Sequence, residues 1–506
     1  MLIPAIRQAY LGQEDKTVLI IGNRRYSCID LMAAVEQQAA HFHRAGLVAG
    51  DSLLSLLPNG WHSVVVLLAA AECGLVYVPL PLASTQAAVA TASQRVGAKA
   101  VVAWQPLVED LHGACPAIDW YCVYANEPIV ICHASTADSP VAPDAPVVES
   151  APYILTMTSG STGDPKPIVL SQKTKFLRAQ AAIELYGLTA GDITLAATPL
   201  YHSLAQRLLF VALLSGGTLV LMNKYHKQRW LEIIQQEQVT FTIAASSQLQ
   251  QLVGEQPVAN YLTSLRVLVS SSALLATDVK RALLTQINCR FHECYGASEV
   301  AIVSDVAFTP AVPLGSVGRL LPGVKAKIVD DQGEPLPANN VGEICVQSPM
   351  AFSGYFQQPQ VTAQSYYEGY FKTGDLGYFD TQGFLFFAGR KKEIIISGGV
   401  NIYPSDVEAV VNGFAGVQES AAFPYPDGQL GEAVAVAVVA AADTLHNPSL
   451  LTLAAAEQLA DFQLPRHWFF VEQLPKTALG KLQRSQLVPL LVPATEVAQN
   501  TPEVSL

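Results

Sequence analysis

A chain of 506 residues, half of them apolar and only 14% charged, can bury more than one sizeable core and leaves little room for extended disorder. Its 42 acidic against 30 basic residues give a net charge of −12 without a dense Lys/Arg block, which argues against nucleic acid or an anionic membrane surface as partner and for small molecules. Eight cysteines with no Cys-x-x-Cys pair, and a start that lacks a basic segment followed by an apolar one, point to a reduced, cytoplasmic protein with no zinc site.

From residue 1 to about 150, strand-like runs such as 17–21 and 52–57 alternate with Ala-rich helical stretches, the pattern of strand–helix units around a mainly parallel sheet. The apolar run 64–79 could pass for a membrane span, but Glu72, Gly74 and Pro79 divide it into a buried helix and a strand. After a Ser/Asp/Pro-rich loop at 133–150, the run Tyr153-Ile154-Leu155 reads as a strand that delivers Thr158, Ser159, Gly160, Ser161, Thr162 and Gly163, followed by Asp164-Pro165-Lys166. Glycines there let backbone N–H groups approach an anion, the hydroxyls donate to phosphate oxygens, and Lys166 supplies a point charge. Because Asp164-Pro165 separates Gly163 from Lys166, this is not the loop of P-loop kinases and ATPases. Alone, it is also compatible with a plain surface turn.

Further on, residues 195–203 end a strand in a proline turn and present His202 before an apolar helix at 208–214, with Arg207 at its head. His202 either lines a site or is a histidine satisfied at a strand end; Arg207 is expected to be paired or solvated. The strand 265–273 becomes small and polar at its C-terminal end, where open α/β sheets bind ligands. Tyr295-Gly296-Ala297-Ser298-Glu299 is a turn whose carboxylate either holds Mg²⁺ or is solvated. From 315 a β-rich lobe of short strands and turns carries Asp375, an acceptor able to take both hydroxyls of a ribose. The charged segment 389–393 reads as a connector to a small domain, in which Ser397-Gly398-Gly399 is a close-approach turn, 406–411 a short helix and 433–440 a buried strand. Lys481 sits on a Pro/Gly loop, where most lysines are merely solvated.

Together, Thr158 to Lys166, Pro199-Leu200-Tyr201-His202, Tyr295 to Glu299, Thr373-Gly374-Asp375, Gly389-Arg390, Ser397 to Pro404 and Pro475 to Lys481 resemble, in order and over nearly the whole chain, the motifs of the adenylate-forming superfamily of acyl- and aryl-CoA synthetases, luciferases and peptide-synthetase adenylation domains. The resemblance implies an α/β fold, with a large N-terminal domain of parallel α/β sheets plus a β-rich lobe (residues 1–389) and a small mobile α+β C-terminal domain (390–506) hinged near Lys392. It implies that 158–166 covers the β- and γ-phosphates with Lys166 and that Ser272, Ala273 and Leu274 bracket adenine with Tyr295, Gly296 and Ser298. Asp375 and Arg390 would take the ribose, Thr162 and Glu299 Mg²⁺, and Lys481 both the carboxylate and the α-phosphate. Gly398 and Gly399 would admit a phosphopantetheine thiol. His202, Ser270, Ser271, Cys294 and Ile302 would surround the acyl group, a pocket of mixed polarity that suits an aryl or medium-sized acyl acid.

Some positions depart from the family's usual residues: Pro167 for Gly, Ser298 for Thr, Ser271-Ser272 for Gly or Ala, and Val400 where many CoA ligases have Glu. The implied activity is a two-step ligase, with ATP, Mg²⁺ and a carboxylic acid giving an acyl-adenylate and then CoA as thiol acceptor. An acyl-carrier protein or an amine is the alternative acceptor, and a nucleotide-binding protein that has lost turnover is the reading outside enzymes.

Overall fold

The computed structural model describes residues 1–123, 129–133, 146–158, 166–253, 258–440, 447–477 and 480–492. Among these, Thr17–Ile21, Thr218–Leu221, Ile193–Ala196, Phe241–Ala245, Val267–Ser271 and Arg290–Ala297 line up as the parallel centre of a nine-stranded sheet, and antiparallel strands close both edges. A seven-stranded sheet is likewise parallel from Asp119–Val123 through Ala98–Trp104, Ser52–Leu56 and Val76–Pro79 to Pro152–Thr158. These strands read as unbroken apolar runs because both faces of each sheet are covered.

The helix Trp61–Cys73 accounts for the run that mimicked a membrane span. Val64 to Ala71 are all buried, so it is apolar all round because it sits wholly within the main core. Gly74 ends it in the left-handed conformation and Val76–Pro79 follows as a strand. Among the described residues, no helix is long and apolar enough to cross a membrane.

Two antiparallel units complete the α/β architecture. Lys325–Val329, Gly342–Gln347, Tyr366–Tyr367, Tyr370–Phe379 and Leu385–Arg390 form a five-stranded β-rich lobe. A short 3-10 turn, Lys391–Glu393, leads to the last sheet, where Gly431–Ala440 lies between Val417–Asp427 and Ile395–Ser397 and pairs in parallel with His467–Phe470. The helices Pro404–Val411 and Pro448–Ala456 pack on it over a separate core around Ile395, Val407, Val434 and Val436.

Candidate active site

The loop 159–165 joins two antiparallel strands, Pro152–Thr158 and Lys166–Ser171, in a register that sets Thr158 opposite Lys166. Ser159, Gly160, Ser161, Thr162 and Gly163 lie outside the described residues. Lys166 holds its ammonium 5.4 Å from the centre of the Tyr355 ring, and the Tyr355 hydroxyl donates to Glu299 Oε1 at 3.2 Å. Tyr355 thus bridges the phosphate-loop lysine and the expected Mg²⁺ carboxylate, a link the sequence reading did not anticipate. Burial pushes the Glu299 carboxyl up, against the pull of the Tyr355 hydroxyl, Arg390 and Arg178.

The Glu299 turn is held from below. Arg178, buried in the helix Gln172–Tyr186, donates from its three nitrogens to the carbonyls of Met350 (2.9 Å), Ser298 (3.0 Å) and Glu299 (3.0 Å), and the Phe352 N–H also donates to the Glu299 carbonyl. Burial pulls the Arg178 guanidinium down to about 9. Tyr295 is the last bulky residue of its strand rather than part of the turn. Gly296 is required by packing, since a Cβ there would overlap the Ala301 carbonyl across the hairpin.

Val267–Ser271 ends as expected in small residues. Ser270 is fully buried beside the Ser246 hydroxyl (3.3 Å), whereas Ser272, Ala273 and Leu274 lie exposed at the strand end, Ser272 at a φ of 79°. Ser246 also donates to Ser271 O and Ala273 O, and the Leu275 N–H donates to Glu293 Oε1, so this exposed arch is anchored at both ends. Burial pushes the Cys294 thiol up to about 11, and Ile302 is likewise buried.

In the β-rich lobe, the Asp375 carboxylate is buried and takes the Tyr295 hydroxyl on Oδ2 at 2.9 Å. Its Oδ1 lies 2.9 Å from Arg390 Nε but receives no aligned hydrogen bond, leaving an acceptor ready for a hydroxyl. Burial pushes this carboxyl up, while Arg390, Tyr295 and Lys481 pull it down. Lys481, from the last sheet's domain, lies within the field of this pair: burial and Arg390 lower its ammonium, and Asp375 and Glu393 offset them. Arg484 fixes the segment behind it by ion pairs to Glu393 and Glu408 (2.5 Å) and a bond to Ala422 O at 2.7 Å. Lys476, earlier on the same loop, pairs with Glu419. Gly398 and Gly399 stand farther out. Their positive φ values of 56° and 82° are those of a two-residue hairpin turn between Ile395–Ser397 and Val400–Ile402, so local geometry already calls for glycine.

The turn before His202 is secured by Asn59, whose amide donates to Thr198 O (2.8 Å) and Met222 O (2.9 Å) while its oxygen takes the Leu200 N–H (2.8 Å). His202 Nε2 is buried without a hydrogen bond among the described residues, and burial pulls its pKa down to about 4. The unfolded chain takes up that proton near 6.5 and the folded chain only near 4. Stability is therefore lost as pH falls through this window, by at most about 3 kcal/mol. His202→Asn is expected to flatten the fall of Tm between pH 6.5 and 4; a slope equal to the parent's would show that the imidazole is not held neutral.

Two turns, a strand end, a buried acid–arginine pair and a lysine from a second domain thus meet at the C-terminal edges of parallel strands, an arrangement suited to a nucleotide beside a carboxylate. The sequence profile described as AMP-binding enzyme matches residues 6–356, and that of the AMP-binding enzyme C-terminal domain matches 406–481. The chain belongs to the AMP-binding enzyme family. It is 30% identical to the fatty acid–acyl-carrier-protein ligase ScoC of Streptomyces coeruleorubidus over 463 residues, 88% of this chain and 87% of that one. It is 33% identical to the indoleacetate–CoA ligase of Aromatoleum aromaticum over 70% of each chain. ATP-bound MatB from Rhodopseudomonas palustris, 25% identical, superposes with a TM-score of 0.88 over 96% of this chain and 98% of its own. Apo MatB, also 25% identical, gives 0.76 over the same shares. Membership in this family makes the protein an AMP-forming ligase.

Proposed function

We propose that this AMP-binding enzyme joins an aryl or medium-sized acyl carboxylate to ATP, releasing pyrophosphate, and then transfers the acyl group from AMP to the thiol of CoA. The observation that carries the reading is the convergence of Lys481 on the buried Asp375–Arg390 pair beside Tyr295. Asp375 with its unaligned Oδ1 suits the two ribose hydroxyls, the open arch 272–274 suits the base, and Lys166 with the loop before it suits the β- and γ-phosphates. Glu299 fits Mg²⁺ by chemistry: it offers hard oxygen, and its raised proton affinity means that a neighbouring dication would relieve an unfavourable charge. When bound, the ion would supply charge neutralisation at the phosphates. The chain's own part in the first step is to position reactants and face the developing charge with Lys481, because the carboxylate attacks Pα itself.

For the second step, a cleft of about 1540 Å³ between the two domains, bordered by Tyr201, Trp61, Lys476 and Gly480, has room for a further substrate. CoA is the acceptor favoured by the likeness to the indoleacetate–CoA ligase, and a carrier protein by the likeness to ScoC. Pyrophosphate release over a panel of acids, followed by product analysis with CoA, a phosphopantetheinylated carrier or an amine, tests the reading. Release that no acid triggers, while ATP still binds, would sink it.

In this reading the two steps need the small domain to present different faces, and the pivot is Lys392, a reading supported by its position in the short turn between the β-rich lobe and the last sheet. Lys392→Pro should leave a near-normal burst of pyrophosphate but abolish thioester formation, because φ is locked. Equal losses in both steps would move the hinge elsewhere.

A further inference from the structure

Beside the site, the helices Gln172–Tyr186 and Ser203–Leu214 enclose a small cavity lined by Lys175, Arg178, Ala179, Ser203, Arg207 and Phe210. Three of these six side chains are cations. Lys175 is buried, and its ammonium donates to the neutral Gln206 Oε1 at 2.5 Å; Gln206 in turn donates to Leu200 O, in the His202 turn. Arg178 spends its donors on backbone carbonyls. Arg207 was expected to be paired or solvated, yet it is half-buried and makes neither a hydrogen bond nor an ion pair among the described residues. The carboxylate that acts on the cluster is Glu299, through Arg178, and that group faces the nucleotide side.

Buried charge is costly unless it is paired: burial, then Arg178 and Arg207, pull the Lys175 ammonium well below its ordinary pKa, and Arg207 has no ion pair among the described residues. Arg207 is the member still accessible, and its position identifies what reaches it. It lies five residues after His202, which immediately precedes its helix, Ser203 lines the same cavity, and its charge acts on the Cys294 thiol, so it borders the residues expected around the acyl group. The reacting carboxylate must face the α-phosphate near Lys481 and is not available to it. We propose that the acid this enzyme activates carries a second anionic group, a carboxylate or sulfonate, which Arg207 receives with Lys175 and Arg178 as the positive field behind it. A guanidinium grips such a group through two parallel N–H donors, whereas an apolar acyl end would leave Arg207 without a partner. This inference rests on the acid-activating reading above.

The test is pyrophosphate release with matched pairs of acids: hexanoate and adipate, pentanoate and glutarate, phenylacetate and homophthalate. For the best skeleton the di-acid should exceed its mono-acid partner in kcat/KM by roughly a hundredfold or more, as expected when a site built for a polar group meets a substrate lacking it. Arg207→Gln should erase or invert that preference and Arg207→Lys should keep part of it, with melting curves confirming that each variant folds. If Arg207→Gln does not fold, the wild-type contrast still decides. Mono-acids preferred in every pair, or a di-acid preference untouched in Arg207→Gln, would overturn the inference and leave the ligase reading intact. Release with no acid of either kind would sink both.

Discussion

Lys481→Ala should lose two to four orders of magnitude in adenylation while still converting synthetic acyl-adenylate and CoA to thioester at close to the normal rate. An ammonium facing charge at about 3–4 Å, at an effective dielectric near 20, is worth about 4 kcal/mol, or roughly a thousandfold in rate when felt mainly in the transition state. The geometry supports that placement, since Lys481 reaches Asp375 and Arg390 from the other domain and Arg484 anchors the chain behind it. If the small domain turns between the two steps, as proposed above, the thiol step should not feel the loss. Lys476, five residues earlier, is the control: its pairing with Glu419 is of the partly exposed kind worth at most about 1 kcal/mol, and Lys476→Ala should stay within a few-fold of the parent. Normal adenylation by Lys481→Ala, or a crippled Lys476→Ala, would show that the lysine has been misassigned.

Gly480→Ala should give a loss of about a hundredfold in adenylation alone, by a different route. Gly480 has a φ of 74°, and a Cβ placed on it would run into the side chain of Ser247 in the large domain. The added methyl both strains the backbone and holds the small domain off its seat, and a displacement near 1 Å at a reacting group costs about that factor. Thioester formation from preformed adenylate, with the small domain turned, should survive. Adding Ser247→Gly should recover much of the first step, because it removes the collision and leaves only the φ strain. If the double variant recovers nothing, the contact is not what seats the domain.

How far each part could be read in advance depends on where its cause lies. Asp375, Arg390, Tyr295, Glu299 and Lys481 could be singled out as candidates because nucleotide chemistry demands particular residue types in short local motifs, and the parallel sheets were legible because apolar runs alternate with helical ones. Asn59, Arg178 and Tyr355 were not, because they act across 139, 121 and 56 residues, to Thr198, Glu299 and Glu299, through hydrogen bonds that no local spacing encodes. For Arg207 pairing and solvation both stayed open in the sequence, because whether a cation finds a partner is decided by the neighbouring helix, which carries two more basic residues and no acid at the cavity. Gly398 and Gly399 carried a double signal, and the hairpin they turn is sufficient to require them.

The chain order of the nine-stranded sheet also bears on how the protein is made. Thr17–Ile21 can pair with Arg24–Ser27 at once, but its other edge waits for Thr218–Leu221, with Leu19 opposite Leu219. At about 5–20 residues per second, a ribosome needs roughly 10–40 seconds to supply that neighbour. Throughout that interval Val18, Leu19 and Ile20, all buried in the finished protein, belong to a two-stranded ribbon too small to hold itself together. The nascent chain therefore offers an apolar strand edge to other nascent chains while the intervening seven-stranded sheet is still being synthesised. Slower translation lengthens that exposure, and a chaperone that shields the first thirty or so residues shortens it.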